Sequence, residues 1–214
     1  MNKAIADLRK EYAAETLLEK DVVSNPIAQF QKWWDQVIAS EILEPNAMTL
    51  ATASADGLPS ARIVLLKGFD EKGFVFYTNY KSYKAAQLEE NPKACLVFHW
   101  KELERQVRIS GIVTRVPEEE SDAYFHSRPV GSRIGAWASP QSQLIENREW
   151  LEQEFGRKKE MFSDGNVPRP QHWGGYLVMP IIVEFWQGRF SRLHDRIQYS
   201  LDENGAWKIE RLAP

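Results

Sequence analysis

The stretch AMTLATASADGLPSARIVLL at residues 47–66 consists of two short extended runs on either side of Ala55-Asp56-Gly57. Such runs separated by an Asp-Gly turn are typical of a β-hairpin, because aspartate and glycine tolerate the positive φ angles of tight turns. The sequence therefore predicts one strand over residues 47–54 and a second strand over residues 60–66.

Short extended runs of the same kind continue to the C-terminus. They predict further strands at residues 73–78, 94–100, 106–115, 175–179, 182–186, 197–201 and 207–211. Helical spacing of apolar residues predicts helices at 26–42, 81–90, 118–127 and 144–162. Because strands do not alternate regularly with helices, the sequence predicts a mainly β fold with inserted helices, an antiparallel barrel or curled sheet rather than a doubly wound parallel sheet.

Asn25-Pro26 marks the beginning of the predicted folded part of the chain. Asparagine is a favourable helix N-cap, and proline is favourable at the first helical position. The preceding residues 1–24 have few large apolar side chains and mixed charge. We therefore predict a mobile N-terminal segment with a short helix at residues 1–24, followed by a single domain at residues 25–214, a size usual for one domain.

Composition excludes several classes of function. Lys and Arg number 27 against 30 Asp and Glu, and this balance argues against a broad nucleic-acid surface. No run approaches the ~20 apolar residues of a membrane span, and no secretory signal is present, so a cytoplasmic protein is expected. Cys95 is the single cysteine, which excludes an intramolecular disulfide and a cysteine zinc site. The four histidines lack metal-ligand spacing, so no metal site is predicted.

The segment Arg192-Leu193-His194-Asp195-Arg196 is the first candidate site, with three potential cations in five residues. In an extended strand, Arg192, His194 and Arg196 would lie on one face. Together with Trp186, which precedes them, they would suit a flat, anionic ligand. The alternative is a solvated edge strand, since exposed charge is common.

Three other segments contain groups that suit phosphate. Tyr124 and Arg128 are four residues apart on one helix and precede Ser132, although a helix end with a capping serine explains them equally well. Arg62 and Lys67 bracket an apolar strand and would lie on opposite faces, or simply end a buried strand. Residues 82–84 begin a helix with a serine N-cap and a lysine in the first turn, where an anion can bind.

The order of these segments gives a more specific prediction. RIVLLK at 62–67, FYTNYKS at 76–82, ERQVRISG at 104–111, YFHSRP at 124–129, IGAWAS at 134–139, FWQG at 185–188, RLHDR at 192–196 and WKIERLAP at 207–214 together resemble the pyridoxamine (pyridoxine) 5′-phosphate oxidase family. The resemblance extends from about residue 9 to the C-terminus.

The resemblance implies an antiparallel, FMN-binding split β-barrel that acts as an obligate homodimer with FMN at the subunit interface. It implies oxidation of pyridoxamine or pyridoxine 5′-phosphate to pyridoxal 5′-phosphate, in the biosynthesis and salvage of vitamin B6. A hydride leaves C4′ of the substrate for flavin N5, and O2 reoxidises the flavin and yields H2O2. Such flavin chemistry requires no protein nucleophile and no metal.

The resemblance also implies roles for individual residues. For FMN, it implies phosphate contacts from Arg62 and Lys84 and further contacts from Ile63, Val64, Leu65, Leu66, Lys67, Tyr77, Thr78, Tyr83, Gln106, Gln141, Ser142, Trp186 and Arg196. The substrate phosphate would be bound by Lys67, Tyr124, Arg128 and Ser132. Arg192 and His194 would act near the reacting carbon with Leu193 beside them, and Arg9 and Tyr12 would close over the substrate.

Three positions depart from the pattern of this family. Tyr83 stands where arginine is usual, Arg133 where glutamine is common, and Pro140 where lysine is frequent. The missing guanidinium at Tyr83 removes a charge-assisted contact of about 1.5–3 kcal/mol to the FMN phosphate. The alternative function is therefore a non-enzymatic protein on the same fold that binds pyridoxal phosphate or flavin, with weakened FMN affinity.

Overall fold

The structure is a computed structural model of the 214-residue chain, and it describes Tyr12 and residues 15–214. The strands are β1 Ala47–Ala53, β2 Pro59–Leu65, β3 Gly68–Asp70, β4 Gly73–Asn79, β5 Lys93–Trp100, β6 Arg105–Arg115, β7 Trp173–Gln187, β8 Asp195–Leu201 and β9 Trp207–Arg211. The α-helices are α1 Pro26–Ala39, α2 Tyr83–Glu90, α3 Glu118–Ser127, α4 Val130–Ala138 and α5 Arg148–Met161. Short 3-10 helices cover Glu19–Asp21, Lys101–Leu103 and Phe190–Arg192.

The strands of the described residues form one sheet in the order β2-β1-β5-β6-β7-β4-β3, with β8 beside β7 and β9 beside β8. Strand β7 pairs antiparallel with β4 through its first half, where Leu177 faces Val75. It pairs antiparallel with β8 through its second half, where Phe185 faces Ile197. The mainly β fold with inserted helices is as predicted from the sequence.

The described chain divides into two compact units. The first unit contains the described residues up to Leu50 together with Cys95–Gly111 and Pro180–Pro214. The second unit contains Ala51–Ala94 and Ile112–Met179. The single domain over residues 25–214 stays a prediction.

Aromatic side chains form much of the core of the first unit. The Asn25 side chain caps α1 by accepting the N–H groups of Ile27 and Ala28, and Pro26 occupies the first helical position as predicted. On the buried face of α1, the Phe30 ring lies 5.2 Å from that of Phe98, and the Trp33 ring meets that of Phe185 edge-on at 5.1 Å. Core packing therefore accounts for part of the high aromatic content of the chain.

Residues 1–11, 13 and 14 of the segment with the predicted short helix lie outside the described residues, and residues 15–18 are not helical. Leu17 is buried, and the Val23 carbonyl accepts a hydrogen bond from the buried Tyr199 hydroxyl at 2.7 Å. The mobility of residues 1–24 stays a prediction.

One hydrophobic cluster of the second unit includes residues of α3 and α4. It contains the buried side chains of Phe125, Ile134, Val167 and Trp173. Helix α4 was not predicted, because Gly131, Ser132 and Gly135 all have low helix propensity. The burial of Ile134 and Ala138, four residues apart on one face, supplies the packing that offsets this low propensity.

Two other predicted elements have different bounds in the structure. Helix α5 begins at Arg148, because the side chain of the N-cap residue Asn147 accepts the Trp150 N–H. The predicted start at Leu144 is therefore wrong, and the Leu144 side chain is fully exposed. The two strands predicted at 175–179 and 182–186 are one continuous strand, β7. Pro180, which lacks an N–H, lies after the last pair with β4 and before the first pair with β8. No helix among the described residues is both long and apolar enough to cross a membrane.

The turn between β3 and β4 requires glycine at position 73, and this gives a stability prediction. Gly73 has φ +145°, and a Cβ there would collide with the Val178 carbonyl oxygen. We expect Gly73→Ala to lower the free energy of unfolding by about 3 kcal/mol or more, measured by urea denaturation, since backbone strain of about 1–3 kcal/mol adds to the collision.

Gly57→Ala is the matched control, because Gly57 has φ +89° and open space around its Cβ position. In this variant, the free energy of unfolding should fall only by the backbone strain, about 1–2 kcal/mol. If both variants lowered the free energy of unfolding equally, the predicted collision at Gly73 would be wrong.

Candidate active site

A cavity of about 810 Å³ lies in the second unit, within the range of ~300–1,000 Å³ that is usual for small-molecule sites. Most of its lining residues were predicted from the sequence. These are Arg62, Ile63, Val64, Leu65, Lys67, Tyr77, Thr78, Tyr83, Lys84, Tyr124, Arg128, Ser132, Gln141 and Ser142. The structure therefore brings together the groups that the sequence placed in separate motifs.

Several separate segments of the chain position these side chains. Strand β2 and the residues after it form one wall, and the end of β4 joins the beginning of α2. The end of α3 and the first turn of α4 contribute Tyr124, Arg128 and Ser132 to the lining. The loop after α4 closes the lining with Gln141 and Ser142, and Ser142 adopts a left-handed φ of 69°. Arg62 and Lys67 line the same cavity because Lys67 lies beyond the end of β2, so strand alternation does not apply to it.

Lys84 and Arg62 form the first cationic group of the cavity. The Lys84 ammonium donates hydrogen bonds of 3.2 Å to the hydroxyls of Thr78 and Ser82, and it meets no carboxylate among the described residues. The Arg62 guanidinium donates to the hydroxyl of Thr52 at 2.6 Å and to that of Ser60. Burial, with a smaller contribution from Arg62, lowers the pKa of Lys84 to about 8.

The start of α2 adds to the positive potential of this group. Ser82 is the N-cap of α2, as predicted, and its side chain caps no backbone N–H. A helix N-terminus beside two cations favours an anion such as a phosphate group. We call Lys84, Arg62 and the N-terminus of α2 the Lys84 cradle.

Stacked aromatic rings form a second part of the lining. The Tyr77 ring lies 4.0 Å from that of Tyr124 and 5.5 Å from that of Trp173, with interplanar angles of 23° and 11°. Burial raises the pKa of the Tyr77 phenol, so the hydroxyl stays protonated and donates to the Glu120 carboxylate at 3.3 Å. Gly175 permits this stack, because a Cβ there would lie 2.7 Å from the Tyr77 ring.

Arg128 lies over this aromatic stack. Its guanidinium is 4.6 Å from the centroid of the Trp173 ring, in the geometry of a cation–π contact. Its Nη1 atom is buried and has no hydrogen-bond partner in the part of the chain that the structure describes. Burial lowers the pKa of Arg128. A buried N–H without an acceptor is costly, so this guanidinium favours an anionic ligand. We call Arg128 and the neighbouring Ser132 the Arg128 cradle.

Predicted site residues of the first unit form a different cluster. The Trp186 and His194 rings lie 4.6 Å apart, and the Tyr12 ring meets them edge-on at 5.8 and 5.9 Å. His194 Nδ1 accepts the backbone N–H of Arg189 at 3.1 Å, so the neutral ring has its proton on Nε2. Burial and the nearby Arg192 lower the pKa of His194. Near neutral pH, this ring is therefore a hydrogen-bond donor through Nε2.

Residues 192–196, considered above as an extended strand, are not extended at their beginning. Ser191 and Arg192 have left-handed φ angles of 54° and 62°, and β8 starts only at Asp195. Regular alternation therefore does not place Arg192, His194 and Arg196 on one face. Arg196 lies opposite Trp186 in the β7–β8 ladder, and its guanidinium binds both carboxylate oxygens of Glu184, at 2.9 and 3.1 Å.

The remaining predicted site residues do not line the cavity. Leu66 is buried in the second unit, beside its cavity-lining neighbours. The first unit contains Tyr12, Gln106, Trp186, Arg192, Leu193, His194 and Arg196. Arg9 lies outside the described residues.

Sequence reasoning missed three residues of the cavity lining, namely Asn79, Pro129 and Trp173. Trp173 precedes Gly174-Gly175, and paired glycines at the start of a strand can signal the close approach of another group.

Comparison with known proteins agrees with the geometry. Residues 35–161 match the family model described as "Pyridoxamine 5′-phosphate oxidase". Residues 173–214 match the model described as "Pyridoxine 5′-phosphate oxidase C-terminal dimerisation region". Proteins named pyridoxine/pyridoxamine 5′-phosphate oxidase are similar over nearly the full length. The protein from Nostoc punctiforme is 58% identical over 214 residues, all of both chains, and that from Salinibacter ruber is 57% identical over 98% of this chain and 99% of its own.

Solved structures with the same fold are also known. The crystal structure of PhzG from Burkholderia lata in complex with tetrahydrophenazine-1-carboxylic acid has a TM-score of 0.88 and 32% identity, over 94% of this chain and 99% of that one. An FMN-binding protein from Nostoc punctiforme that is related to pyridoxamine 5′-phosphate oxidase has a TM-score of 0.69 and 18% identity, over 86% of this chain and 97% of that one.

The sheet topology and these similarities define the class as the FMN-binding split β-barrel proteins, so the predicted fold class is confirmed. Within this class, the chain belongs to the pyridoxamine 5′-phosphate oxidase family, because one family model covers more than half of it and a full-length relative is 58% identical to it. The predicted family and the predicted oxidase activity are confirmed, and the predicted cofactor, FMN, agrees with this membership.

The buried charge of Lys84 gives a prediction for the FMN-free protein. Its pKa falls from 10.5 to about 8 on folding, so between these pH values the unfolded chain binds more protons and the free energy of unfolding rises with pH. We expect Lys84→Met to remove this rise and to stabilise the FMN-free protein at pH 7 by up to about 3 kcal/mol, while weakening FMN binding. Urea denaturation from pH 7 to 9.5 and fluorescence titration with FMN measure the two effects.

Lys81→Met is the matched control, because Lys81 is exposed in the same segment. The control should leave the slope of stability against pH unchanged. If Lys84→Met destabilised the FMN-free protein at pH 7, Lys84 would be held by interactions that outweigh its burial.

Proposed function

We propose that the chain is an FMN-dependent oxidase that converts pyridoxamine 5′-phosphate and pyridoxine 5′-phosphate to pyridoxal 5′-phosphate. The observation that carries the proposal is the presence of two separate cationic cradles in one cavity beside a stack of aromatic rings. One flavin nucleotide and one phosphorylated pyridine together present two phosphate groups and two flat rings, which is what this lining suits.

The Lys84 cradle fits the phosphate of FMN. Lys84 is buried with hydroxyl partners, and a phosphate would supply the negative charge that offsets its burial. Thr78, which donates to Gln141 at 3.4 Å, would contact the flavin together with the neighbouring Tyr77. FMN, when bound, would supply N5 as the acceptor for the hydride from C4′ of the substrate, and O2 would take up the two electrons and two protons as H2O2. With the amine substrate, water would then replace the amino group, which leaves as ammonia.

The Arg128 cradle fits the phosphate of the substrate. The buried Nη1 of Arg128 would donate to a phosphate oxygen, and the Ser132 hydroxyl, Tyr124 and Lys67 would add further donors. This arrangement explains why the guanidinium is held over Trp173 although no acceptor among the described residues meets Nη1. Fixing the phosphate would orient the pyridine ring relative to the flavin.

Arg192 and His194 would act at the reacting end of the substrate. The Nε2–H of neutral His194 would position the substrate by hydrogen bonding, and the Arg192 guanidinium would polarise the reacting centre. Tyr12, which packs on His194, and Arg9 would close over the substrate and exclude water.

The proposed functional unit is a homodimer with FMN at the subunit interface. The match of residues 173–214 to a dimerisation region supports this part of the proposal. The same residues contain Trp186, Arg192, His194 and Arg196. In a homodimer, one subunit could therefore complete the site of the other.

Tyr83 favours the alternative, a protein that binds pyridoxal phosphate or flavin without turnover. Tyr83 lines the cavity and is half exposed, and it replaces the arginine that is usual in this family. The Lys84 cradle therefore has one guanidinium fewer, which would weaken FMN binding.

The visible spectrum of the purified protein tests the proposal. We expect flavin absorption bands that bleach when pyridoxamine 5′-phosphate is added without O2, because electrons then remain on the cofactor. Admission of O2 should restore the bands and release H2O2. A colourless protein that FMN does not reconstitute would support the binding protein. Reduction of the flavin by tetrahydrophenazine-1-carboxylic acid, the ligand in the PhzG crystal structure, but not by the phosphorylated substrate would favour a different substrate for this chain.

Unphosphorylated pyridoxamine is the matched control substrate in this experiment, and Arg128→Met is the matched variant. If the Arg128 cradle binds the substrate phosphate, the variant should lose about 10²-fold in kcat/KM for the phosphorylated substrate and little for the control.

The role of Arg192 gives a separate kinetic prediction. We expect Arg192→Ala to lower kcat by about 10²-fold, since a charge that stabilises the transition state is removed. Arg192→Lys should recover part of the rate. A normal kcat with only KM raised would show that Arg192 contributes to binding alone.

A further inference from the structure

A network of hydrogen bonds centred on Arg211 holds the N-terminal segment in the first unit. From strand β9, the Arg211 guanidinium binds both carboxylate oxygens of Glu19, at 2.6 and 2.9 Å. It also donates to the Asp195 carboxylate at 2.8 Å and to the Leu17 carbonyl at 2.9 Å. One side chain therefore joins β9, the beginning of β8 and the segment around Leu17–Glu19, and we call these contacts the Arg211 network.

Asp195 and Arg189 extend the Arg211 network toward Tyr12. The second oxygen of the Asp195 carboxylate accepts the Leu17 N–H at 3.1 Å and lies 3.6 Å from the Arg189 guanidinium. That guanidinium donates to the Glu15 carbonyl at 3.3 Å. The backbone is therefore held at Glu15 and at Leu17, just after Tyr12.

Tyr12 comes shortly before this anchored part of the backbone in the sequence. Only two residues separate Tyr12 from Glu15, so the three Cα–Cα steps between them span at most about 11 Å. The Tyr12 ring packs on Trp186 and His194. Its Cβ lies against Gly188, where an added Cβ would come within 2.8 Å of it.

We propose that Arg211 is a positioning residue for the oxidase reaction, which it assists by holding Tyr12 against Trp186 and His194. The proposal rests on the proposed function, in which Tyr12 closes over the substrate. Arg211 itself donates to Glu19, Asp195 and Leu17. It acts through the backbone at Glu15 and Leu17.

The charges in the Arg211 network persist at physiological pH. The hydrogen bond with Arg211 holds the pKa of the Glu19 carboxyl at about 2. Both hydrogen bonds to Arg211 therefore have a charged acceptor. The side chains are 34% exposed for Arg211 and 59% for Glu19, so loss of the pair should release the segment without unfolding the core.

Steady-state kinetics of Arg211→Gln holoenzyme provide the first test. We expect KM for pyridoxamine 5′-phosphate to rise about fivefold to twentyfold with kcat within twofold, because closure over the substrate is weakened while the reacting groups are intact. Glu19→Gln should shift KM in the same direction by less. Lys208→Gln is the matched control, since Lys208 is also on β9 and its ammonium forms an ion pair with Glu210, outside the Arg211 network.

A double-mutant cycle with Tyr12→Ala separates positioning from a general structural role. If Arg211 acts through Tyr12, Arg211→Gln should not raise KM further in the Tyr12→Ala background. If the fold increases in KM of the two single variants multiplied in the double variant, the proposal would be overturned. Gly188→Ala, which displaces Tyr12 directly, should reproduce the KM increase of Arg211→Gln.

Hydrogen exchange of the holoenzyme supplies a readout that does not depend on turnover. In Arg211→Gln, the amides of residues 15–23 should exchange about tenfold faster, with the Leu17 amide among them and no change in β5 or β6. Unchanged exchange would overturn the Arg211 network as an anchor, and faster exchange with unchanged KM would overturn positioning. If the unmodified protein did not turn over the substrate, the proposed function would be contradicted. The hydrogen-exchange comparison would still test whether the Arg211 network anchors the N-terminal segment.

Discussion

Positive charge buried without a carboxylate partner is the constraint on which the cavity depends. Lys84 is 7% exposed and meets only hydroxyls among the described residues, and the Nη1 atom of Arg128 meets no acceptor there. Burial lowers the pKa of both groups, which means that the folded chain holds each charge at a cost. Apolar side chains in these positions would make the ligand-free protein more stable. An anionic ligand offsets the cost, so the site is destabilising until it is filled.

The sheet makes this arrangement possible because it fixes the backbone around the two cradles. Strands β4 and β7 pair so that Tyr77 lies opposite Gly175, and the missing Cβ leaves room for the Tyr77 ring to stack on Tyr124 and Trp173. The Trp173 ring of the same stack also forms the cation–π contact with the Arg128 guanidinium. Rigid elements rather than long loops therefore hold most of the groups that would bind ligand.

The sequence predicts those parts of the structure that depend on local pattern. Strand alternation placed β1, β2 and β4 within one or two residues, and Asn25-Pro26 placed the beginning of α1. Helix α4 was missed because tertiary burial of Ile134 outweighs its glycines, and the backbone at Arg192 was wrong because two consecutive left-handed residues leave no local signal. Trp173 was missed since its contact with Tyr77 spans ninety-six residues of sequence.

Paired and unpaired charges distinguish two uses of arginine in this chain. In the first unit, Arg211 binds Glu19 and Asp195, and Arg196 binds Glu184 and the Ala213 carbonyl. Guanidinium groups have five N–H donors, and Arg196 uses three of them in these contacts. Any contact of Arg196 with FMN would therefore use the remaining donors, without loss of the bond to Glu184. Arg128 instead retains a buried donor at the cavity, which agrees with the proposed role of this residue in binding the substrate phosphate.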